Sequence, residues 1–593
     1  MDLEAEIKPW GRFQFRTFLC SGIVTFISAL YAMSYVFIAA TPAHRCYIPG
    51  MDAPVEQVSK VESVHVQYST GFFESSAVRA LIYNERNNGG NVKSLCDYCQ
   101  IIVSAENVSY SVVGMRLTKN NSHSQTCGGS DGVPSVSCAN GPLVYDRSRF
   151  SSTISEKFSL SCRANVWRKQ LIPTLFMVGN LIGSLLIGPA ADKYGRRPAL
   201  LACVTGCVII SISTVFAHHF VIYCICELLG GICYIGATLQ AFCISLELVG
   251  KSHRTAAATW FQAFFTLGYI LVGGMAYFIR HWEYLQLAVA LITLALSPFL
   301  LLVPESVIWL ENQGRSLEAK QIINKIKVFN RLPRNDIVNS VANGTEEQQF
   351  LKGREGGNDS ITTVESTVNT ENRIIEPKAH VQYLQYISSL FSHWIMARNT
   401  IVTFLAWFSC TITYYGISLH VGYLPGDLFT TYMISGLIEI PAFMLTVPLM
   451  NKVGRRPTLV TLYCIGGLCS IAGSFVPPKF SWAVITLTIV GKLGATGAFA
   501  AIYQYSVEIF PTSARSSGLG MSSCVARLGS IAAPQIALLG NHTRPSATFL
   551  IYGIITLIAG ICLLFVPETL GQLLPQTVAE SVALSKFRKP NSC

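Results

Sequence analysis

The sequence predicts an all-α membrane protein: twelve transmembrane helices in two six-helix, pseudo-symmetric halves, with one large cysteine-rich extracellular loop. Three observations carry this expectation. The 593-residue chain is 51% hydrophobic and only 13% charged, whereas a soluble domain carries about a quarter charged residues. Apolar runs of roughly 20 residues recur, the length that crosses a hydrocarbon core of about 30 Å. Three phrases also occur twice, in the same order and about 260 positions apart, which marks an internal duplication. Gly195-Arg196-Arg197-Pro198 is answered by Gly454-Arg455-Arg456-Pro457, Glu247 with Arg254 by Glu508 with Arg515, and Val303-Pro304-Glu305-Ser306 by Val566-Pro567-Glu568-Thr569.

Along the chain, residues 1–17 form a polar N-terminus with Lys8, Arg12 and Arg16 ahead of the first apolar run. That run, 18–40, is long and lacks a cleavage pattern, so it reads as helix one rather than as a leader. Its basic flank belongs in the cytoplasm by the positive-inside rule. The first half spans 18–303 and contains a polar loop at 41–167. This loop holds Cys46, Cys96, Cys99, Cys127, Cys138 and Cys162, an even set that reads as three disulfides in an oxidising compartment with pairing left open. Asn107 and Asn120 begin glycosylation acceptors in the same loop, and Asn541 begins one in a later outer loop. Helices two to six follow at about 168–190, 198–217, 221–246, 255–279 and 283–303, as lengths near 20 residues require. A cytoplasmic linker, 304–398, starts with short amphipathic helices and turns strongly polar around 343–371. The second half, 399–566, holds helices at about 399–420, 426–450, 457–475, 481–508, 515–539 and 546–566. A basic cytoplasmic tail, 567–593, completes a multi-pass chain with both termini inside the cell.

The net charge of +11 sits in short loops between apolar runs, so it sets topology rather than a nucleic-acid surface. Histidines are scattered, no glycine-rich phosphate loop appears, and no paired carboxylates share a soluble cleft. Enzyme chemistry and ATP-driven pumping are therefore disfavoured. Duplicated helical bodies of this kind commonly carry solutes, with the site between the halves near mid-membrane. No cofactor or metal is expected, and a coupling ion, if one is used, would be sodium or a proton. Oligomeric state is not legible.

Gly188-Pro189-Ala190-Ala191-Asp192-Lys193-Tyr194-Gly195-Arg196-Arg197 resembles the signature between helices two and three of the major facilitator superfamily. Within it the chain resembles the solute-carrier family of organic cation, carnitine and organic anion transporters. The likeness rests on the long cysteine-rich loop, Pro304-Glu305-Ser306-Val307-Ile308-Trp309, Glu508-Ile509-Phe510-Pro511-Thr512 with Arg515, and Pro567-Glu568-Thr569-Leu570-Gly571-Gln572. It covers nearly the whole chain. Sugar porters share the basic loops but lack such a cysteine framework. Two departures stand out: Asn451 occupies the place of Asp192 in the second half, and Val307-Ile308 replaces the family's usual Pro-Arg. The resemblance implies rocking of the two halves about a central site in the plasma membrane. It also implies a conformational lock of Asp192, Gly195, Arg196, Arg197, Glu247, Arg254, Gly454, Arg455, Arg456, Glu508 and Arg515, which holds the outward-open state.

Ionisable residues inside spanning helices are costly and therefore default site candidates: here Glu227, Glu439, Lys492 and Arg527. The position matching Arg527 typically holds Asp in the family's cation members and Arg in its anion and carnitine members. A guanidinium there can grip a carboxylate with two parallel hydrogen bonds. Trp407, Tyr414, Tyr415 and Tyr503, with Tyr505, are candidates for an aromatic cage around a quaternary ammonium, and Glu439 for its counter-charge. Gln240 and Gln262 are candidate cavity linings. Lys492 is expected to snorkel from the start of helix ten to the interface. The substrate expected is a small organic ion, best a carnitine-like zwitterion or organic cation. An organic anion is the second choice, and a non-transporting receptor on the same fold is the alternative of another class.

Overall fold

A computed structural model describes residues 10–42, 44–46, 100–101, 136–137, 143–161, 165–331 and 388–586, apart from 420, 425, 478, 512–513, 543–544 and 573–574. Twelve of its helices are long and apolar enough to cross a membrane. In the first half they are α1 Arg12–Ile38, α2 Val166–Tyr194, α3 Arg196–Val215, α4 Phe220–Glu247, α5 Lys251–Phe278 and α6 Trp282–Leu302. In the second they are α7 Trp394–Leu419, α8 Leu428–Lys452, α9 Arg455–Phe475, α10 Ser481–Ile509, α11 Arg515–His542 and α12 Pro545–Cys562. Observed ends fall within a few residues of the expected ones, except that α1 and α7 begin earlier. Two short helices, Val307–Asn312 and Ser316–Phe329, follow α6.

Successive helices run antiparallel, so the bundle has two ends. The long-loop end carries the α1–α2 connection, where strand His44–Cys46 pairs antiparallel with Leu143–Tyr145. The basic-loop end carries both Gly-Arg-Arg-Pro turns. Within lipid no hydrophobic force drives helix on helix, so close approach depends on small residues. Helix α2 meets α4 through Gly179 and Gly231, where an added Cβ would lie 2.1 Å from the Leu228 carbonyl or 2.2 Å from that of Phe176. Helix α8 breaks at Ile438, between segments Leu428–Leu437 and Glu439–Lys452. Pro441 explains the break: it has no N–H for the carbonyl four residues back, and its ring crowds that turn.

The distribution of core residues shows which end is closed. One buried cluster joins Phe37, Phe150 and Tyr269 of the first half to Leu419, Phe429 and Tyr432 of the second, at the long-loop end. Phe37 stacks on Phe429 at 5.5 Å, and Tyr269 lies flat on Tyr432 at 4.1 Å and 4°. Near the basic-loop end the cores separate. One is drawn from residues 13–326 and another from 390–582. The halves are thus sealed at the long-loop end and packed separately at the other.

At the basic-loop end the three repeated phrases converge on one knot in each half. Gly195 (φ +109°) alone links α2 to α3, and Gly454 (φ +121°) follows Val453 in the two-residue link from α8 to α9. Such a φ is unfavourable for a residue with a Cβ, and a Cβ here would also meet Glu305 Oε2 at 2.8 Å or Glu568 Oε2 at 2.7 Å. Glu305 accepts from the backbone N–H of Arg196 and Arg197 at 3.1 Å, and Glu568 from those of Arg455 and Arg456 at 2.9 and 3.0 Å. Each carboxylate therefore caps the positive end of a helix. The Arg196 guanidinium pairs with Glu247, and Ser306 donates to the same carboxylate. In the second half Arg455 pairs with Glu508 at 3.1 Å and Thr569 donates to Glu508 at 2.5 Å.

This arrangement corrects the expected lock in three ways. Each knot lies within its own half, and both are made while the long-loop end is sealed, so they do not break when that end closes. Asp192 is exposed and makes no ion pair among the described residues. It lies one position, hence about 100° of rotation, past buried Ala191, and its carbonyl accepts from Trp309 Nε1 at 2.8 Å and Gln313 Nε2 at 3.4 Å. Arg515 is outside the second knot, donating instead to the Phe510 carbonyl at 3.3 Å. The Arg254 side chain lies outside the described residues.

Candidate functional site

A buried charge cluster sits where the broken turn of α8 faces α5, α7 and α10. Glu439 and Lys492 pair at 2.9 Å, with side chains 1% and 0% exposed. Thr266 donates to Glu439 Oε2 at 2.6 Å and Tyr414 to Oε1 at 3.0 Å. Lys492 donates to Ser435 Oγ at 3.0 Å and lies 4.0 Å over the Tyr269 ring. Thr266 and Tyr269 belong to the first half and the others to the second, so this cluster crosses the interface. It overturns the snorkelling expectation. Lys492 is the twelfth residue of α10, roughly 16 Å along its axis at 1.5 Å per residue, too deep for its stem to reach water. It also cancels the charge of Glu439, which as a counter-charge for substrate is already occupied.

Arg527 lies midway along α11. It is half-buried, interacts with Tyr415 and Tyr503, and has no ion pair and no partner for its Nε among the described residues. Beside it runs an aromatic wall from α7 and α10. Trp407 meets Tyr503 edge-on at 4.4 Å and Phe499 at 5.8 Å, and Tyr414 stacks on Phe499 at 6.3 Å. Tyr415 stands perpendicular to Tyr414 at 5.3 Å. Trp407 itself is buried, with Nε1 donating to Ser506 at 2.9 Å, so it backs the wall rather than facing open space. Tyr505 is turned away: it is fully buried and donates to the Pro567 carbonyl at 2.9 Å. From the first half Phe242 reaches this wall, 6.3 Å from Tyr503.

Gln240 is buried on α4 and Gln262 half-buried on α5. Glu227, nearer the start of α4, is buried and accepts from the Tyr31 hydroxyl at 3.3 Å. Cys96, Cys99, Cys127, Cys138 and Cys162, with Asn107 and Asn120, lie outside the described residues, as do the side chains of Cys46 and Asn541.

Sequence reasoning gave no role to Glu305 or Glu568, which it quoted only within repeated phrases, and did not single out Phe499, Thr266 or Tyr269. Glu305 and Glu568 were detectable, because they recur 263 positions apart, close to the 259 that separate the arginines they cap. Phe499 stands one helical turn before Tyr503, so it too was within reach of periodicity. Thr266 and Tyr269 gave no signal, since their partners lie more than 160 positions away.

Comparison with known proteins fits this architecture. The Major Facilitator Superfamily profile matches residues 151–534 and 399–591. The chain is 30% identical to "Organic cation transporter protein" of Drosophila melanogaster, over 99% of this chain and 95% of that one. It is 27% identical to "Organic cation/carnitine transporter 2" of Homo sapiens, over 100% and 96%. Among solved structures, the inward-open xylose transporter XylE from E. coli matches with a TM-score of 0.51 at 18% identity, covering 70% of this chain and 90% of that one.

Proposed function

The chain belongs to the Major Facilitator Superfamily and, within it, to the solute-carrier family of organic cation and carnitine transporters, and on that premise we propose that it carries a carnitine-like zwitterion or small organic cation across the plasma membrane. The basic-loop end faces the cytoplasm, and substrate is exposed alternately as the halves rock. The observation that carries this reading is Arg527: a guanidinium inside a spanning helix, unpaired with any acid among the described residues and flanked by the aromatic wall. A fixed guanidinium recognises carboxylate, and aromatic faces attract quaternary ammonium. A zwitterion uses both.

A second reading, an organic anion as substrate, draws on the charge balance of the second half. Lys492 cancels Glu439, leaving Arg527 as a net positive charge. Uptake of radiolabelled carnitine, tetraethylammonium and p-aminohippurate in cells with matched surface levels separates the readings. Arg527→Ala should lower carnitine uptake tenfold or more, since a hydrogen bond to a charged group is worth about 1.5–3 kcal/mol, and should spare tetraethylammonium. Unchanged carnitine uptake would remove Arg527 as the carboxylate grip. Uptake of p-aminohippurate alone by the unmutated protein would favour the anion reading, and uptake of nothing would favour a receptor.

A further inference from the structure

Among the described residues, the buried and half-buried acids of the spanning helices are answered by bases with one exception. Glu247 faces Arg196, Glu439 faces Lys492 and Glu508 faces Arg455. Glu227, 7% exposed, has no basic partner among the described residues. Its titratable neighbours on α1 and α4 are Tyr31, Tyr223, Cys224, Cys226 and Tyr234, which supply hydroxyl or thiol groups and no positive charge. Leaving a buried carboxylate charged and uncompensated costs several kcal/mol, and the group escapes that cost either by holding a proton or by meeting a positive charge.

Glu227 also opens on a cleft between α1, α2, α4 and α7, lined by Tyr31, Tyr35, Phe176, Met177 and Leu419. Rings with a carboxylate are the chemistry that holds an ammonium group. In this sealed state the cleft offers about 10 Å³, no more than a single water needs. Leu419 is its one lining residue from the second half, so an ammonium group requires the halves to part there. Two helices lead from the cleft toward Arg527. Tyr415, against Arg527, is one turn of α7, about 5.4 Å, from Leu419. Ile531, one turn along α11 from Arg527, packs on the same core as Tyr31, Phe176 and Leu419.

We propose that Glu227 supplies the negative charge for the substrate's ammonium group, so that one anion from the first half and one cation, Arg527, from the second form a two-charge site across the interface. This rests on the organic-ion reading above and replaces Glu439 as the counter-charge. It explains how a zwitterion would draw the halves together, since each half holds one of its ends.

The test is uptake of carnitine, tetraethylammonium and p-aminohippurate by the full-length chain carrying Glu227→Gln, Glu227→Asp or Arg527→Ala, at matched surface level and with sodium and pH varied. Glu227→Gln should raise KM tenfold or more for carnitine and tetraethylammonium and leave any p-aminohippurate uptake unchanged. Glu227→Asp, which keeps the charge on a shorter stem, should transport with a smaller rise in KM. If Glu227→Gln does not reach the surface, Glu227→Asp decides, and an unchanged KM for both cationic substrates overturns the proposal. Unchanged KM in Glu227→Gln, with carnitine uptake lost in Arg527→Ala, overturns it while leaving the organic-ion reading intact. Loss of sodium or pH dependence at unchanged KM also overturns it, making Glu227 a coupling-ion site. An unmutated protein that moves neither cationic substrate overturns both.

Discussion

Removing Lys492 should be among the most damaging single changes in the second half, and removing its partner as well should undo most of that damage. At 2.9 Å and an effective dielectric near 20, the attraction between Lys492 and Glu439 is about 6 kcal/mol. Taking both groups out of water costs several kcal/mol for each, so the pair as a whole is close to break-even. A single change is different. Lys492→Met leaves Glu439, 1% exposed, without its cation, and its remaining partners are only the hydroxyls of Thr266 and Tyr414. Breaking a buried pair in this way costs about 3–5 kcal/mol. The double variant Lys492→Met with Glu439→Gln removes both charges and should recover most of the loss. Thermal unfolding of the purified protein, followed by size-exclusion monodispersity after heating, gives the order directly. The prediction is unmutated protein near the double variant, both well above Lys492→Met. A Lys492→Met protein as stable as the unmutated one, or a double variant worse than either single one, would refute the buried-pair reasoning.

Other expected outcomes follow from the knots and the wall. Gly454→Ala forces a Cβ into a φ of +121° and 2.7 Å from Glu568; it should cost about 1–3 kcal/mol, read as a lower melting temperature and weaker surface expression, whereas Gly571→Ala, at φ +72° with nothing near its Cβ, should cost less. Glu568→Gln keeps the shape of the α9 cap but removes its charge from two backbone N–H groups, and should cost about 0.3–1 kcal/mol, up to roughly 2 in a partly buried setting. Trp407→Phe loses the hydrogen bond to Ser506 and should cost about 0.5–1.5 kcal/mol from that bond, since the Ser506 hydroxyl still donates to the Ile502 carbonyl; unchanged melting temperature would mean the bond contributes nothing.

The twelve helices were legible because crossing lipid demands long apolar runs, and a run of that kind shows in one dimension. The duplication was legible because Gly195 and Gly454 occupy turns that only glycine fits comfortably, and such positions fix the surrounding phrase. Partnership was harder to read. Lys492 looked like an interfacial residue because sequence gives depth along a helix only roughly and gives nothing about Glu439, 53 positions away in another helix. Asp192 looked like a lock residue because it sits in the right phrase, yet one step of rotation beyond Ala191 turns it outward. Tyr503 and Tyr505 are two positions apart, so they point to different sides of α10, one to the wall and the other to Pro567. Periodicity gathered the aromatic candidates, and only packing could sort them.

Rocking of the two halves is tested most directly by tethering them at the sealed end. Gln535 on α11 donates to Thr174 on α2 at 2.8 Å across the interface. Cysteines at both positions, joined by a short bis-methanethiosulfonate reagent, should abolish organic-ion uptake, with reduction of the tether restoring it. Uptake that continues at full rate with the tether demonstrably in place would contradict the mechanism.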